Sequence, residues 1–329
     1  AAAVSRALAK LGIEEVLVHT GQHFDDAMSA RFFAELKIPE PRYHLGVHSL
    51  SHGAMTGAML SKLEQVMLDE QPDWVLVYGD TNSTLAGALA AAKLHLPVAH
   101  VEAGLRSFNR RMPEEINRVV ADHLSDLLFC PTRVAVENLK REGIVKGVHF
   151  TGDVMFDAAL YARAHADRKI LDRIGKRPFA LLTLHRQENT DDSKRMQTLL
   201  AYVRDEAASL GYAVVFPVHP RTQKALARWG IALPDRIHPM PPVSYLEMAA
   251  LLDACSLVFT DSGGLQKEAY FFGKRCVTLR DETEWVETVQ AGWNRLWSEP
   301  EYACDPPRPI PDYGDGQASV VIARILADS

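Results

Sequence analysis

Five places in the chain put residues able to move protons or hold phosphate directly after a short apolar run. Residues 74–78 end at Gly79-Asp80-Thr81-Asn82, and residues 97–101 deliver His100, Glu102, Gly104 and Arg106. Residues 178–184 lead into His185-Arg186-Gln187-Glu188-Asn189, and residues 213–218 into His219-Pro220-Arg221. Leu257-Val258-Phe259 stops at Thr260-Asp261-Ser262-Gly263-Gly264 before helical spacing resumes. Short apolar runs bounded by turn residues read as buried parallel strands, and the carboxyl ends of such strands are where open α/β sheets bind ligands. Ser262-Gly263-Gly264 makes a helix start with free N–H groups and no Cβ in the way, which suits a diphosphate. Glu268 lies about one helical turn further on, where a carboxylate suits ribose hydroxyls. Diphosphate and ribose together mean a nucleotide.

Taken singly, each residue has a plainer reading. Asp80 and Asp261 make good helix caps, Gly263 and Gly264 can simply start a core helix, and a lone His185 can be bonded to its own turn. Glu114 and Glu115 follow Pro113 in the first turn of a helix, where acids complement the dipole. Taken together, Asp80, Glu102, Glu114 and His185 around one nucleotide point to proton transfer on the group that the nucleotide carries.

The rest of the composition narrows the class. At 329 residues the chain exceeds one ordinary core and indicates two domains. It has no membrane-length apolar run and no signal-peptide pattern, so a cytoplasmic protein without membrane contact is expected. A net charge of −6 without Lys/Arg runs argues against nucleic acid as a partner. The four cysteines (Cys130, Cys255, Cys276 and Cys304) form no CxxC pair, so neither a metal site nor a disulfide framework is indicated. No GxGxxG precedes an acidic ribose partner, and no cofactor is expected.

Strand and helix alternate along the chain with short connections, as in parallel βαβ units. Strands are expected at 14–20, 74–78, 97–101, 126–130 and 148–150, with helices at 25–36, 53–68, 83–94, from 113, at 134–141 and from 154. After a charged stretch at 167–177 the pattern repeats: strands at 178–184, 213–218, 236–239, 257–259 and 275–279, a long helix from Asp191 or Asp192, a helix at 243–252 and another at 319–326. The expected fold is α/β, with two Rossmann-like domains facing a cleft. Residues 1–167 would form the first domain, 168–312 the nucleotide-binding one, and 313–329 a helix packing back on the first.

Gly79-Asp80-Thr81, His100-Val101-Glu102-Ala103-Gly104-Leu105-Arg106, Pro113-Glu114-Glu115-Ile116-Asn117-Arg118, His185-Arg186-Gln187-Glu188-Asn189 and Thr260-Asp261-Ser262-Gly263-Gly264 occur in this order. With them the chain resembles the non-hydrolysing UDP-N-acetylglucosamine 2-epimerases over nearly its whole length. The resemblance implies the GT-B form of the two-domain fold and a homodimer. It also implies a reaction in which UDP is eliminated across C1 and C2, leaving a glycal, and adds back after the proton returns to the opposite face. By matching motif, Asp80, Glu102, Glu114 and His185 would be the acid–base group. Ser262, Gly263 and Gly264 would hold the diphosphate, Glu268 the ribose, and His219, Arg280 and Arg106 would contact the substrate.

Three departures qualify the resemblance. The family begins with a strand and a Gly-x-Arg-Pro segment, whereas this sequence starts inside the following helix, and a trimmed start is expected. Thr283-Glu284-Trp285-Val286 stands where the N-acetylglucosamine enzymes have Thr-Glu-Arg-Pro, so an indole replaces a charged contact. That wording, with Ser51-His52-Gly53-Ala54 and Gly292-Trp293-Asn294-Arg295, is similar to the branch acting on UDP-2,3-diacetamido-2,3-dideoxyglucuronate. Gln22-His23 matches the segment that binds an activating second substrate in many members, but Asp25 and the region of Ser49 lack the expected partners. A GT-B glycosyltransferase, a hydrolysing epimerase and a non-enzymatic nucleotide-sugar sensor are the competing classes.

Overall fold

Apolar runs separated by capped helices close into parallel sheets in each of two compact units, Ala1–Ala158 with Pro311–Ser329, and Ala159–Ile310. A computed structural model of the chain describes residues 1–22, 33–175 and 177–329. The helix expected at 25–36 and the residues His23 and Asp25 fall wholly or largely outside that description.

In the first unit β1 (Val18–His19) pairs with β2 (Tyr43–His44), while β3 (Val75–Tyr78), β4 (Val98–Val101), β5 (Leu127–Cys130) and β6 (Val148–Phe150) form a parallel sheet in that order. The strand expected at 14–20 is confined to two residues, because its partner β2 is itself only two residues long. Every residue of β4 and β5 is buried, as in parallel strands covered on both faces. On one side the helix Asn82–Lys93 packs its alanines against β3 and the helix His52–Glu70, and a Cβ on Gly87 would come 3.0 Å from Val77 Cγ1. Thr81 caps the Asn82–Lys93 helix in a reciprocal box with Thr84. Another core joins Val4 and Leu8 of the helix Ala2–Lys10 to Ala99, Val101 and Phe129, with Ile322 and Ala323 of the helix Ala318–Asp328. Asp157 anchors the start of that last helix by accepting from Ala318 N at 3.2 Å and Ser319 N at 2.8 Å.

The second unit holds β7 (Phe179–Thr183), β8 (Ala213–Pro217), β9 (Ile237–Met240), β10 (Leu257–Thr260), β11 (Cys276–Thr278) and β12 (Asn294–Leu296). All six are parallel, in the order β12-β11-β10-β7-β8-β9. Numbered within the unit this is 3-2-1-4-5-6, the doubly wound order whose reversal point lies between β7 and β10. The core between sheet and helices is aliphatic, from Leu182 and Val214 to Leu199, Leu200 and Val203 of the helix Ser193–Ser209. Asp192 caps that helix, donating neither charge nor bulk to the core but accepting from Lys194 N and Arg195 N.

Candidate active site

The reversal point of the second sheet brings the segments after β7 and β10 side by side. Thr183 and Thr260 end these strands with their hydroxyls 2.6 Å apart. The fully buried Asp261 then collects the turn after β7: its carboxylate accepts from His185 N at 2.9 Å, Arg186 N at 2.8 Å and Asn189 Nδ2 at 3.1 Å. The His185 imidazole Nδ1 lies 3.2 Å from the same carboxylate. Burial would push the Asp261 carboxyl up, but the His185 ring and these donors outweigh it and hold it below the usual carboxylate range. Sequence reasoning treated Asp261 only as a cap. Its larger part is to fix the orientation of His185, whose ring centroid stands 5.4 Å from that of His219. His219 in turn caps the helix Pro220–Trp229, its Nδ1 accepting from Arg221 N at 3.2 Å.

Ser262 begins the helix Gly263–Phe271, with its hydroxyl accepting from Leu265 N at 3.4 Å and its own N–H donating to Thr260 Oγ1 at 2.9 Å. Gly263 is the first helical residue, and a Cβ there would stand 2.4 Å from Glu284 Oε1. Gly264 follows it in the first turn. Glu268 accepts from the Tyr245 hydroxyl at 3.0 Å, and burial pushes its carboxyl up to about 7 against the opposing pull of Tyr245 and Lys267. Arg280 is buried after β11, bonded through Nη1 to Glu284 Oε2 at 2.9 Å and with its Nε 3.5 Å from Glu188 Oε1.

The first unit gathers the carboxylates. Asp80 follows β3, and its side chain pairs with Arg118 while its carbonyl accepts from Asn117 Nδ2 at 2.9 Å. Glu102 follows the neighbouring strand β4 with φ at +70°, a left-handed conformation that a non-glycine residue adopts only under constraint. A Cβ on Gly79 would lie 3.5 Å from Glu102 Oε2, so the two strand ends are in contact. Glu114 is exposed in the first turn of the helix Pro113–Leu124 and makes no hydrogen bond or ion pair among the described residues. Its neighbour Glu115 is buried and accepts from Ser107 N, Ser107 Oγ and Phe108 N, each at 2.9 Å, and from Arg118 Nη1 at 3.1 Å. The adjacent acids thus divide: Glu115 ties down the loop, and Glu114 stays available.

Arg106 is turned inward rather than toward a ligand. Its guanidinium, 1% exposed, meets Asp122 at 2.6 Å and Glu142 at 2.7 Å. The same Asp122 carboxylate lies 2.7 Å from Nδ1 of the buried His100, whose Nε2 lies 2.7 Å from the Gly79 carbonyl. This chain from Glu142 to Gly79 fixes the turn that carries Asp80. Sequence reasoning missed Asp122, Asn117 and Arg118 as supports, although the last two stand inside one of the motifs.

Among the described residues no cluster of three or more His, Cys, Asp or Glu side chains is placed to hold a metal, and no helix is long and apolar enough to cross a membrane.

Comparison with known proteins agrees with the geometry. A family model described as UDP-N-acetylglucosamine 2-epimerase matches residues 6–327. The chain is 51% identical over 328 residues to a UDP-2,3-diacetamido-2,3-dideoxy-D-glucuronate 2-epimerase of Pseudomonas aeruginosa, covering 96% of this chain and 92% of the relative. It is 44% identical over 308 residues to a UDP-N-acetylglucosamine 2-epimerase of Methanocaldococcus jannaschii, covering 89% and 83% respectively. A crystal structure of UDP-GlcNAc 2-epimerase from Methanocaldococcus jannaschii in complex with UDP-GlcNAc and UDP superposes with a TM-score of 0.87 at 39% identity, over 100% of this chain and 96% of that one. A Rossmann switch point with a glycine helix start, a neighbouring pair of carboxylate-bearing strand ends and a match over nearly the full length agree on one assignment: the chain belongs to the UDP-N-acetylglucosamine 2-epimerase family.

Proposed function

We propose that this chain is an isomerase that inverts C2 of a UDP-linked 2-acetamido sugar without hydrolysing it. The observation that carries the reading is the carboxylate group of the first unit, Asp80 and Glu102 on touching strand ends with Glu114 unpaired nearby in sequence on the helix that anchors Asp80. A protein that only bound or transferred the nucleotide sugar would need the phosphate and ribose contacts but not these acids.

The reaction breaks C1–O to UDP and C2–H, leaves a glycal, returns a proton to the opposite face of C2 and re-forms C1–O. The C2–H is very weakly acidic, so the work lies in positioning the base and stabilising the departing diphosphate. Asp80, Glu102, Glu114 and His185 supply proton removal and return. The N–H groups at Ser262, Gly263 and Gly264 receive the diphosphate, with His219 and Arg280 as further contacts, and Glu268 takes the ribose hydroxyls. Arg106 supports the fold of the first group and is withdrawn from the substrate contacts. No metal or cofactor enters this scheme, and the working species is a homodimer.

As substrate we place UDP-2,3-diacetamido-2,3-dideoxyglucuronate first, supported by the 51% identical relative and by Trp285, and UDP-N-acetylglucosamine second, supported by the 44% identical relative. Incubating the protein with each sugar in D₂O and following the products by proton NMR tests both points. The expected outcome is a manno epimer carrying deuterium at C2. Epimer retaining protium there, together with an undiminished rate in Glu114→Gln, would overturn the elimination route; comparable or higher kcat/KM for UDP-N-acetylglucosamine would reverse the ranking.

A further inference from the structure

The segment after β11 carries a buried donor that no described residue satisfies. Trp285 is 9% exposed, and its indole Nε1 has no hydrogen-bond partner among the described residues. Its backbone is pinned. The Trp285 N–H donates to Thr283 Oγ1 at 3.1 Å, and its carbonyl accepts from Thr288 N at 3.0 Å and Thr288 Oγ1 at 2.7 Å. Thr283 is itself tied to Gln266 Oε1 at 2.6 Å, inside the helix Gly263–Phe271. One face of the indole is covered by Lys267, whose Nζ lies 4.0 Å from the ring centroid. Burial and the Lys267 contact together keep the ring largely out of water.

The indole nitrogen faces the helix start. Trp285 Nε1 lies 3.5 Å from where a Cβ on Gly263 would stand. Buried donors without acceptors are rare in folded proteins, and this one converges with the free N–H groups of a nine-residue helix. Arg280 Nε, 3.5 Å from Glu188 Oε1, is a second buried nitrogen in the same segment without a hydrogen bond among the described residues. A concentration of donors calls for an anionic acceptor, and the protein's own carboxylate already stands close to it: Glu284 Oε1 is 2.4 Å from the same Cβ position, with its other oxygen held by Arg280 Nη1 at 2.9 Å.

We propose that Trp285 is a diphosphate-binding residue: its indole N–H donates to a phosphoryl oxygen of a nucleoside diphosphate seated at the start of the Gly263–Phe271 helix, where it displaces the Glu284 carboxylate. The inference rests on the nucleotide reading given above. A carboxylate and a diphosphate repel each other at one helix end, so Glu284 withdraws as the ligand arrives and Arg280 passes from one anion to the other. The indole adds a directional bond without adding charge.

Calorimetry with UDP on the wild-type protein, Trp285→Phe and Glu284→Gln tests this. Trp285→Phe is expected to weaken UDP binding roughly ten- to a hundredfold, the span for a hydrogen bond to a charged group, and Glu284→Gln to tighten it. In a ¹⁵N-labelled protein the chain's five tryptophans give five indole signals. The one lost in Trp285→Phe should move downfield with UDP or inorganic pyrophosphate and stay in place with uridine. An unchanged UDP affinity in Trp285→Phe with an unmoved indole signal overturns the assignment, and weaker binding in Glu284→Gln overturns the displacement. Should Trp285→Phe fail to fold, the signal is identified by replacing the other four tryptophans, and the wild-type titration decides. A wild-type protein that binds no UDP defeats the nucleotide reading instead, and pyrophosphate then decides the role of Trp285 on its own.

Discussion

Glu268 meets two opposing demands. In the free protein burial pushes its carboxyl up to about 7, whereas ribose hydroxyls would bond best to the ionised form. Because the folded-state value lies above the ordinary 4.5, the stability contributed by this group is full below pH 4.5 and is lost as pH rises through about 7. The opposite sign holds for nucleotide binding. Below pH 7 the carboxyl must release its proton before it can accept from the ribose, so binding weakens by up to about tenfold per pH unit. We expect UDP affinity to improve from pH 6 to pH 8 more steeply in the wild-type protein than in Glu268→Gln, with thermal stability falling over the same range only in the wild type. Parallel calorimetric and melting series across these pH values check it, and identical slopes in both proteins would remove Glu268 from the ribose contact. The residue was readable from sequence because it sits one turn past the glycines. Its raised carboxyl was not, since that comes from burial in the folded unit, which outweighs the opposing hydrogen bond from Tyr245, 23 positions away.

At the scale of elements, a single carboxylate joins the ends of β7 and β10. Asp261 reaches a histidine and two other residues 72 to 76 positions away in sequence. Asp261→Asn keeps the volume but turns one acceptor oxygen into a donor facing N–H groups. It should cost roughly 1–3 kcal/mol of stability, read by urea unfolding, and lower kcat through a misoriented His185. Full activity in a destabilised Asp261→Asn would confine the residue to a structural part. Most strands were legible because their apolar runs are short and bounded by turn residues, and the doubly wound class followed from the alternation. Two elements show where such reading stops. The helix Pro220–Trp229 carries a proline at its start and Gly230 at φ +61° just after it, so its local signals are present although no helix is expected there from the apolar pattern. Strand β12 had no local signal: Asn294 and Arg295 are buried only because Thr278, Gln266 and Thr288 satisfy the first, and Tyr202 and Glu206 the second. Those partners come from distant parts of the chain, and no window of sequence contains them.

For the whole molecule, the proposed homodimer predicts sedimentation at twice the mass of one chain at micromolar concentration, unchanged by UDP. A single species of one-chain mass would remove the dimer from the proposal. The family assignment was legible as five motifs in order, whereas the internal commitment of Arg106 was not, because Asp122 and Glu142 lie 16 and 36 positions from it. The first unit is built from two separated stretches of chain, with Pro311–Ser329 completing what Ala1–Ala158 begins. During synthesis the ribosome therefore makes all of Ala159–Ile310 before the segment bearing Ile322 and Ala323 emerges to cover Val4, Leu8 and Phe129. Until then the nascent chain lacks the partners of that apolar face, so the first unit is completed last although most of it is made first.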